Sequence, residues 1–164
     1  MEKIRFIHTA DIHLGSFLHI NGQIPDRIQK IARTATMDSF KRICDAAINY
    51  KVDFIVVSGD LYDREAKSVA AFRFFVEECQ RLNLEGIQVF VIAGNHDPLR
   101  EQPDLFELPQ NVKVFRGDKP EIYHVEGKAG HITARIIGQS YLNRMESRKM
   151  HLNYQLPDDG IWNI

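Results

Sequence analysis

Residues 87–98, with the sequence IQVFVIAGNHDP, decide the predicted fold. The first seven positions are apolar except Gln88, which is typical of a buried strand. Gly94 ends the run, and three polar side chains follow at once: Asn95, His96 and Asp97. Open α/β sheets carry their functional groups just beyond the carboxyl ends of their strands. Taken alone, the stretch fits turn and capping chemistry as well as catalysis, because Asn and Asp favour such turns for backbone reasons.

Two upstream stretches end in the same way. The apolar run at 4–8 leads to Asp11 and His13, and the run at 54–58 leads to Asp60. Three apolar runs that each end in Asp, His or Asn are hard to explain by turns alone. If these strands are parallel neighbours, their carboxyl ends meet at one edge of the sheet. The sequence therefore predicts one polar site that combines carboxylate, imidazole and amide groups.

The segments between these runs have helical periodicity. From Pro25-Asp26 to about residue 50, apolar residues recur at the spacing of one buried helix face: Phe40, Ile43, Cys44, Ala47 and Ile48. Ser68 is a suitable N-cap for a second helix to about residue 82. Its predicted core stripe is Val69, Phe72, Val76 and Cys79. The order β-α-β-α-β predicts a parallel sheet with right-handed crossovers.

The second half of the chain has shorter apolar runs, at 112–115, 121–125 and 131–138. The turns between them favour antiparallel pairing and a second sheet. Residues 160–164 resemble a strand that is just beginning. We find no repeat and no linker, so residues 1–164 are predicted to form one domain without an internal boundary. The Ile and Trp side chains at the end lead us to expect an amino-terminal portion of a longer domain.

Composition excludes disordered, fibrous and membrane-embedded proteins. A chain of 164 residues with 44% hydrophobic residues is long enough for a real core. Its formal net charge of -1 gives no global argument for nucleic-acid binding but leaves room for a local basic groove. Cys44 and Cys79 lack CxxC spacing and are predicted to be buried thiols. With no targeting segment and no span long enough for a bilayer, we expect a cytoplasmic protein without membrane contact.

The predicted site has the donors of a centre for two divalent cations. Such cations prefer oxygen and imidazole ligands, and a carboxylate can bridge two of them. Asp11 and His13 are two residues apart in a segment read as extended, so both point the same way and can hold one ion. Asp60 is placed to bridge, and Asn95 to hold the second ion through its carbonyl oxygen. Two cations roughly 3.5–4 Å apart lower the pKa of a bridging water and stabilise an in-line displacement at phosphorus.

The remaining site residues are assigned to proton transfer and substrate binding. His96 is predicted to protonate the leaving oxygen or to neutralise the transition-state phosphate, with Asp97 orienting its ring. Asp63 is interpreted as a structural residue of the loop after Asp60 or as a support for His13. Three basic residues follow the second and third strands, where phosphate contacts and solvated charge are both open interpretations: Arg64, Lys67 and Arg100.

These motifs carry a family resemblance. The segments 11–13, 59–60 and 94–97 resemble the first three motifs of the calcineurin-like metallophosphoesterases. The surrounding sequence at 6–15 and 57–63 is similar to the SbcD-like DNA repair exonucleases, the bacterial relatives of the eukaryotic double-strand-break nuclease. The resemblance implies a four-layer α/β/β/α sandwich, two manganese ions and phosphodiester hydrolysis on DNA. It also implies DNA as partner, often with a coiled-coil ATPase, and a homodimer is a further arrangement to test.

The chain departs from the family pattern in its second half. The family completes its site with a lone His after a later strand and with a Gly-His-x-His motif, and this sequence contains neither. Gly130-His131 begins like the latter but is followed at the second imidazole position by Thr133. We therefore expect the remaining His ligands beyond Ile164, a sandwich incomplete at its C-terminus, and a 164-residue chain that is inactive or weakly active by itself.

Two other functions stay open from the sequence. A metallophosphoesterase acting on a small phosphodiester or a phosphoprotein would share the first three motifs. A non-catalytic interaction module could retain the same fold. The sequence also leaves open the native metal and the choice between exonuclease and endonuclease action.

Overall fold

The computed structural model describes residues 3–18, 22, 25–63, 68–101, 107–127 and 130–164. In chain order the elements are β1 (Phe6–Thr9), α1 (Asp26–Tyr50), β2 (Phe54–Ser58), α2 (Val69–Leu84), β3 (Gln88–Ile92), β4 (Val112–Val114), β5 (Glu121–Glu126), β6 (Ile132–Gly138) and β7 (Trp162–Asn163). Short 3-10 turns lie at Leu99–Glu101 and Met150–Asn153. Both predicted helices and the first three predicted strands are confirmed.

The first sheet has the strand order β1-β2-β3-β4, and all its neighbours are parallel. The assignment of 112–115 to the second sheet was wrong, because β4 pairs with β3. A run of three alternating residues does not encode its direction. The direction is set by buried Asn111. Its side-chain amide donates to the carbonyls of Cys79 (3.0 Å) and Ile87 (2.9 Å), and its backbone carbonyl accepts from the N–H of Val89. Asn111 thus fixes the start of β4 beside the start of β3.

The second sheet has the order β5-β6-β7. The predicted antiparallel pairing of the two runs that form β5 and β6 is confirmed. The predicted terminal strand is also present, and β7 pairs with β6 in parallel. A two-pronged ion pair between Arg135 of β6 and Asp159, together with the bond from the Ile164 N–H to the Arg135 carbonyl (2.9 Å), holds this terminal segment on the sheet.

Two cores stack these elements in layers. Because side chains alternate along a strand, Ile55 and Val57 of β2 face the helices while Phe54 faces the second sheet. The helix-side core includes Phe40, Cys44, Ala47, Phe75, Cys79 and Leu82. The core between the sheets includes Phe54, Phe90, Phe115, Val125, Ala134 and Ile136. Within the described ranges, the chain therefore builds helix, sheet and sheet, in the order expected for the metallophosphoesterase sandwich.

The buried face of α2 differs from the predicted stripe. Val69 is 57% exposed, and the buried residues are Ala71, Phe75, Glu78, Cys79 and Leu82. This face is rotated from the predicted one by about one residue, or roughly 100°. The sequence offers Phe72, Phe74 and Phe75 as near-equal candidates, and the stacking of Phe75 on Phe40, with ring centroids 5.5 Å apart, selects among them.

Both cysteines are free and buried, as predicted. Burial, with Glu78 nearby, raises the pKa of Cys44 to about 12, so its thiol stays protonated and unreactive. In the part of the chain that the structure describes, neither helix has the length and apolar character needed to cross a bilayer.

Candidate metal centre

Three loops meet at the carboxyl edge of the first sheet. The loops after β1 and β2 continue side by side past the strand ends: the Asp11 N–H donates to the Gly59 carbonyl (3.2 Å), and the His13 N–H donates to the Asp60 carbonyl (3.0 Å). The loop after β3 joins them through the His96 N–H, which donates to Asp60 Oδ1 at 2.9 Å. The strand ends therefore converge as the order of the motifs predicted.

The backbone is left-handed at three of the predicted ligands. Asp11, His13 and Asp60 have φ angles of 52°, 47° and 51°, a region that non-glycine residues seldom occupy. The segment 11–13 is thus not extended as predicted. Ile12 is buried in the helix-side core between the two polar residues. Such costly conformations persist only where the surrounding structure holds them, and they concentrate at functional sites.

Asp11, His13 and Asp60 together offer one group of metal-ligating atoms. One donor atom from each lies within 4.8 Å of the others. Divalent cations bind oxygen ligands at roughly 2.0–2.6 Å, so two donors on one ion lie at most about twice that distance apart. A separation of up to 4.8 Å is therefore compatible with one shared ion. His13 Nδ1 is also buried and has no hydrogen-bond partner within the described structure. The donor set and this buried ring nitrogen both fit a divalent cation.

A second group joins His13 and His96 through Asp63. His96 Nδ1 lies 3.1 Å from Asp63 Oδ1, and His13 Nδ1 lies 3.7 Å from Asp63 Oδ2. The two imidazole rings meet edge to face with centroids 5.0 Å apart. Asp63 is therefore the site residue that the sequence interpretation undervalued. Its position three residues after Asp60, in the same loop, was the available signal.

The contact with Asp63 favours the protonated form of His96. The hydrogen bond to Asp63 raises the pKa of His96, Asp60 adds to the rise, and partial burial and Arg144 oppose it. The bond to the protonated ring stabilises the fold at low pH and is lost as the pH rises through the raised pKa.

The Asp63→Asn variant is therefore expected to lower the pKa of His96. Asparagine removes the negative charge but keeps the shape of the side chain, so the protonated ring loses its main stabilising partner. The measurement is the ¹H–¹⁵N NMR titration of the histidine rings in metal-free protein. Asp38→Asn, on the exposed face of α1, is the control. An unchanged His96 titration in Asp63→Asn would show that this contact does not set the charge of the ring.

The predicted pairing of Asp97 with the His96 ring is corrected by the structure. Asp97 is 1% exposed. Its Oδ2 accepts from the N–H groups of Leu61 (3.0 Å) and Tyr62 (3.2 Å), and its Oδ1 accepts from the N–H of Gly94 at 2.7 Å. Burial raises the pKa of Asp97, and these N–H groups oppose the rise. Asp97 thus ties the second loop to the third, while Asp63 takes the place beside Nδ1 of His96.

The other predicted site residues are distributed as follows. Asn95 lies with an exposed side chain in the turn that carries His96. Arg100 is exposed in the 3-10 turn that follows. Arg64 and Lys67 lie outside the described residues.

The polypeptide at position 94 approaches the Asp60 carboxylate very closely. A Cβ added to Gly94 would lie 2.2 Å from Asp60 Oδ1 and 2.7 Å from Asp60 N. Only glycine therefore allows the Asp60 carboxylate and backbone to occupy their observed positions.

Comparisons with known proteins agree with this geometry. The family model described as calcineurin-like phosphoesterase matches residues 4–163. The chain is 35% identical to the uncharacterized metallophosphoesterase YhaO of Bacillus subtilis over 164 residues, 100% of this chain and 40% of that protein. It is 30% identical to the DNA double-strand break repair protein Mre11 of Archaeoglobus fulgidus over 163 residues, 90% of this chain and 34% of that protein.

A second Mre11, from Methanocaldococcus jannaschii, is 31% identical over 126 residues, covering 75% of this chain and 32% of that protein. The chain thus spans about a third to two-fifths of the length of these relatives. The family match extends over nearly all of the chain and includes all three loops of the site. The chain belongs to the calcineurin-like phosphoesterase family.

Proposed function

We propose that the protein containing this chain is a metal-dependent phosphodiesterase that cleaves DNA, as an exonuclease or endonuclease of DNA repair. The observation that carries the proposal is the meeting of Asp11, His13 and Asp60 within 4.8 Å at the edge where the His96–Asp63 pair lies. Family membership supports phosphoester hydrolysis. The Mre11 relatives, which are DNA double-strand break repair proteins, support DNA as the substrate.

The proposed cofactor is a pair of divalent cations, with Mn²⁺ as the first choice. Asp11 and His13 would hold one ion, Asp60 would bridge, and Asn95 would contribute to the second. When bound, such ions activate water and neutralise charge that develops on a phosphoryl group. Oxygen and imidazole donors suit Mn²⁺, Mg²⁺ and Zn²⁺ to different degrees, so the choice among these metals is part of the test.

The chain's own contribution to the reaction is the His96–Asp63 pair. With Nδ1 of His96 facing Asp63, its Nε2 is the nitrogen that remains for the substrate. The raised pKa of His96 increases the protonated fraction near neutral pH. The ring can then donate a proton to the leaving oxygen or a hydrogen bond to the phosphoryl group, while Asp63 fixes its orientation.

The proposal extends to the setting of the enzyme. We propose the cytoplasm as its location and a homodimer as a candidate assembly. The family resemblance adds a coiled-coil ATPase as a candidate partner. We also propose that residues 1–164 belong to one domain without an internal boundary, because β2 and β3 contribute to both cores.

The test uses the complete product of the gene that encodes this chain, stripped with EDTA and resupplied with Mn²⁺, Mg²⁺ or Zn²⁺. Labelled duplex and single-stranded DNA, bis(4-nitrophenyl) phosphate and a phosphopeptide are offered as substrates. We expect metal-dependent DNA cleavage that is lost in Asp60→Asn and retained in the control Asp38→Asn.

Cleavage of the diester or phosphopeptide without DNA cleavage would instead support a phosphoesterase with another substrate. Absence of all three activities, together with no bound metal by elemental analysis, would support a non-catalytic module.

A further inference from the structure

The segment 139–144, which follows β6, is fixed against the end of β3. The Tyr141 N–H donates to the Ala93 carbonyl at 2.9 Å, and the Ala93 N–H donates to Ser140 Oγ at 2.9 Å. Ser140 is fully buried, and its hydroxyl donates to the Phe115 carbonyl at 2.6 Å. The segment that leaves the second sheet is therefore bonded to Ala93, directly before Gly94 and the loop that carries His96.

The same segment also holds the 3-10 turn that comes after the histidine loop. The Leu99 N–H donates to the Tyr141 carbonyl at 3.0 Å, and the Arg100 N–H donates to the Leu142 carbonyl at 3.4 Å. The Arg100 guanidinium reaches Asn143 Oδ1 at 3.4 Å. The segment 139–144 is thus bonded to the chain on both sides of residues 94–98, so it flanks the loop that carries His96.

This arrangement brings the charge of Arg144 near the histidine and joins the Arg100 guanidinium to Asn143, the residue before Arg144. Arg100 and Arg144 are exposed, on segments joined by the contact to Asn143. Arg144 is close enough for its positive charge to act on the His96 ring. The proposed divalent cations would offset the charge of Asp11, Asp60 and Asp63, so they would attract only the phosphate at the centre. The whole chain has a formal net charge of -1, so attraction for the flanking phosphates of a polyanionic strand depends on local cations such as these arginines.

We propose that Arg144, together with Arg100, forms a phosphate-binding edge that holds the nucleic-acid backbone on the His96 side of the scissile bond. The inference rests on the proposed function and adds to it the residues that favour a polynucleotide over a small diester. Guanidinium groups suit this role because their planar donors can contact two phosphate oxygens at once. Such backbone contacts position a strand without reading its sequence.

The test compares two substrates in the complete gene product. Arg144→Gln, Arg100→Gln and Arg144→Lys are assayed on a DNA oligonucleotide and on bis(4-nitrophenyl) phosphate, which lacks flanking phosphates. For either Gln variant, we expect the ratio of kcat/KM on DNA to kcat/KM on the diester to fall about tenfold, mainly through KM on DNA. The slope of log affinity against log salt should fall by about one.

Two variants separate binding from structure. Arg144→Lys keeps the charge but not the planar fork, so it should retain the salt slope and recover only part of the affinity. Arg73→Gln removes an exposed arginine from α2, which pairs with Glu77 outside the site, and should leave the ratio unchanged. If Arg144→Gln reduced both activities equally, or neither, the phosphate-binding edge would be disproved. A wild-type protein active on the diester but not on DNA would overturn the proposed function itself.

Discussion

Asp97→Ala is expected to lower the free energy of unfolding by about 3–5 kcal/mol, although Asp97 is not one of the proposed metal ligands. The carboxylate accepts hydrogen bonds from the N–H groups of Leu61, Tyr62 and Gly94 in a buried setting. Alanine would leave all three donors without their acceptor, and each buried unsatisfied group costs about 1–3 kcal/mol before relaxation or water entry. The second and third loops would then separate.

Urea unfolding followed by near-UV circular dichroism measures this effect, and a change in the midpoint at constant slope reports stability. Asp38→Ala is the matched control, because it removes an exposed carboxylate that accepts only from the Thr34 hydroxyl in the described structure. Asp97→Asn should fall between the two, since its amide keeps one acceptor oxygen but turns a donor toward a donor. If Asp97→Ala resembled the control within about 1 kcal/mol, the loops would not depend on this carboxylate.

The error over Asp97 shows what a sequence motif leaves undecided. Adjacency suggested that Asp97 would orient His96, because both occur in one short turn. The direction of the backbone in the turn decides otherwise, and it turns the Asp97 carboxylate inward to N–H groups that lie far away in sequence. Asp63, from a different loop, reaches the ring instead. Local sequence therefore predicted residues that the structure brings to one edge of the sheet, but not the contacts that they form there.

Fold prediction succeeded and failed for related reasons. β2 and β3 were predictable because buried parallel strands are continuous apolar runs that end in glycine and polar residues. β1 is partly exposed, and its signal was the apolar run followed by Asp11 and His13. The direction of β4 was not predictable, because it depends on hydrogen bonds from Asn111 to residues that are distant in sequence. For Asp11 and His13 the predicted proximity matches the observed one. The backbone conformation that brings them together differs from the prediction, since Asp11 and His13 are left-handed and not extended.

Gly94→Ala is expected to reduce phosphodiesterase activity at least about 100-fold, because displacing a catalytic group by roughly 1 Å has effects of that size. The added methyl would meet Asp60 Oδ1 at 2.2 Å and the Asp60 nitrogen at 2.7 Å. The second contact is with backbone, so a side-chain rotation cannot relieve it. The shift would move the proposed bridging carboxylate and strain the bond from the His96 N–H to Asp60 Oδ1.

Manganese binding by isothermal titration calorimetry and cleavage of bis(4-nitrophenyl) phosphate would be measured on Gly94→Ala in the complete gene product. Gly160→Ala is the control, because its φ of 78° imposes a backbone penalty while a Cβ there meets nothing within 4 Å. The control should lose stability with little loss of metal affinity, whereas Gly94→Ala should lose both affinity and activity. Wild-type affinity in Gly94→Ala would mean that Asp60 does not need its observed position to hold the ion, and the assignment of Asp60 as the bridging ligand would fail.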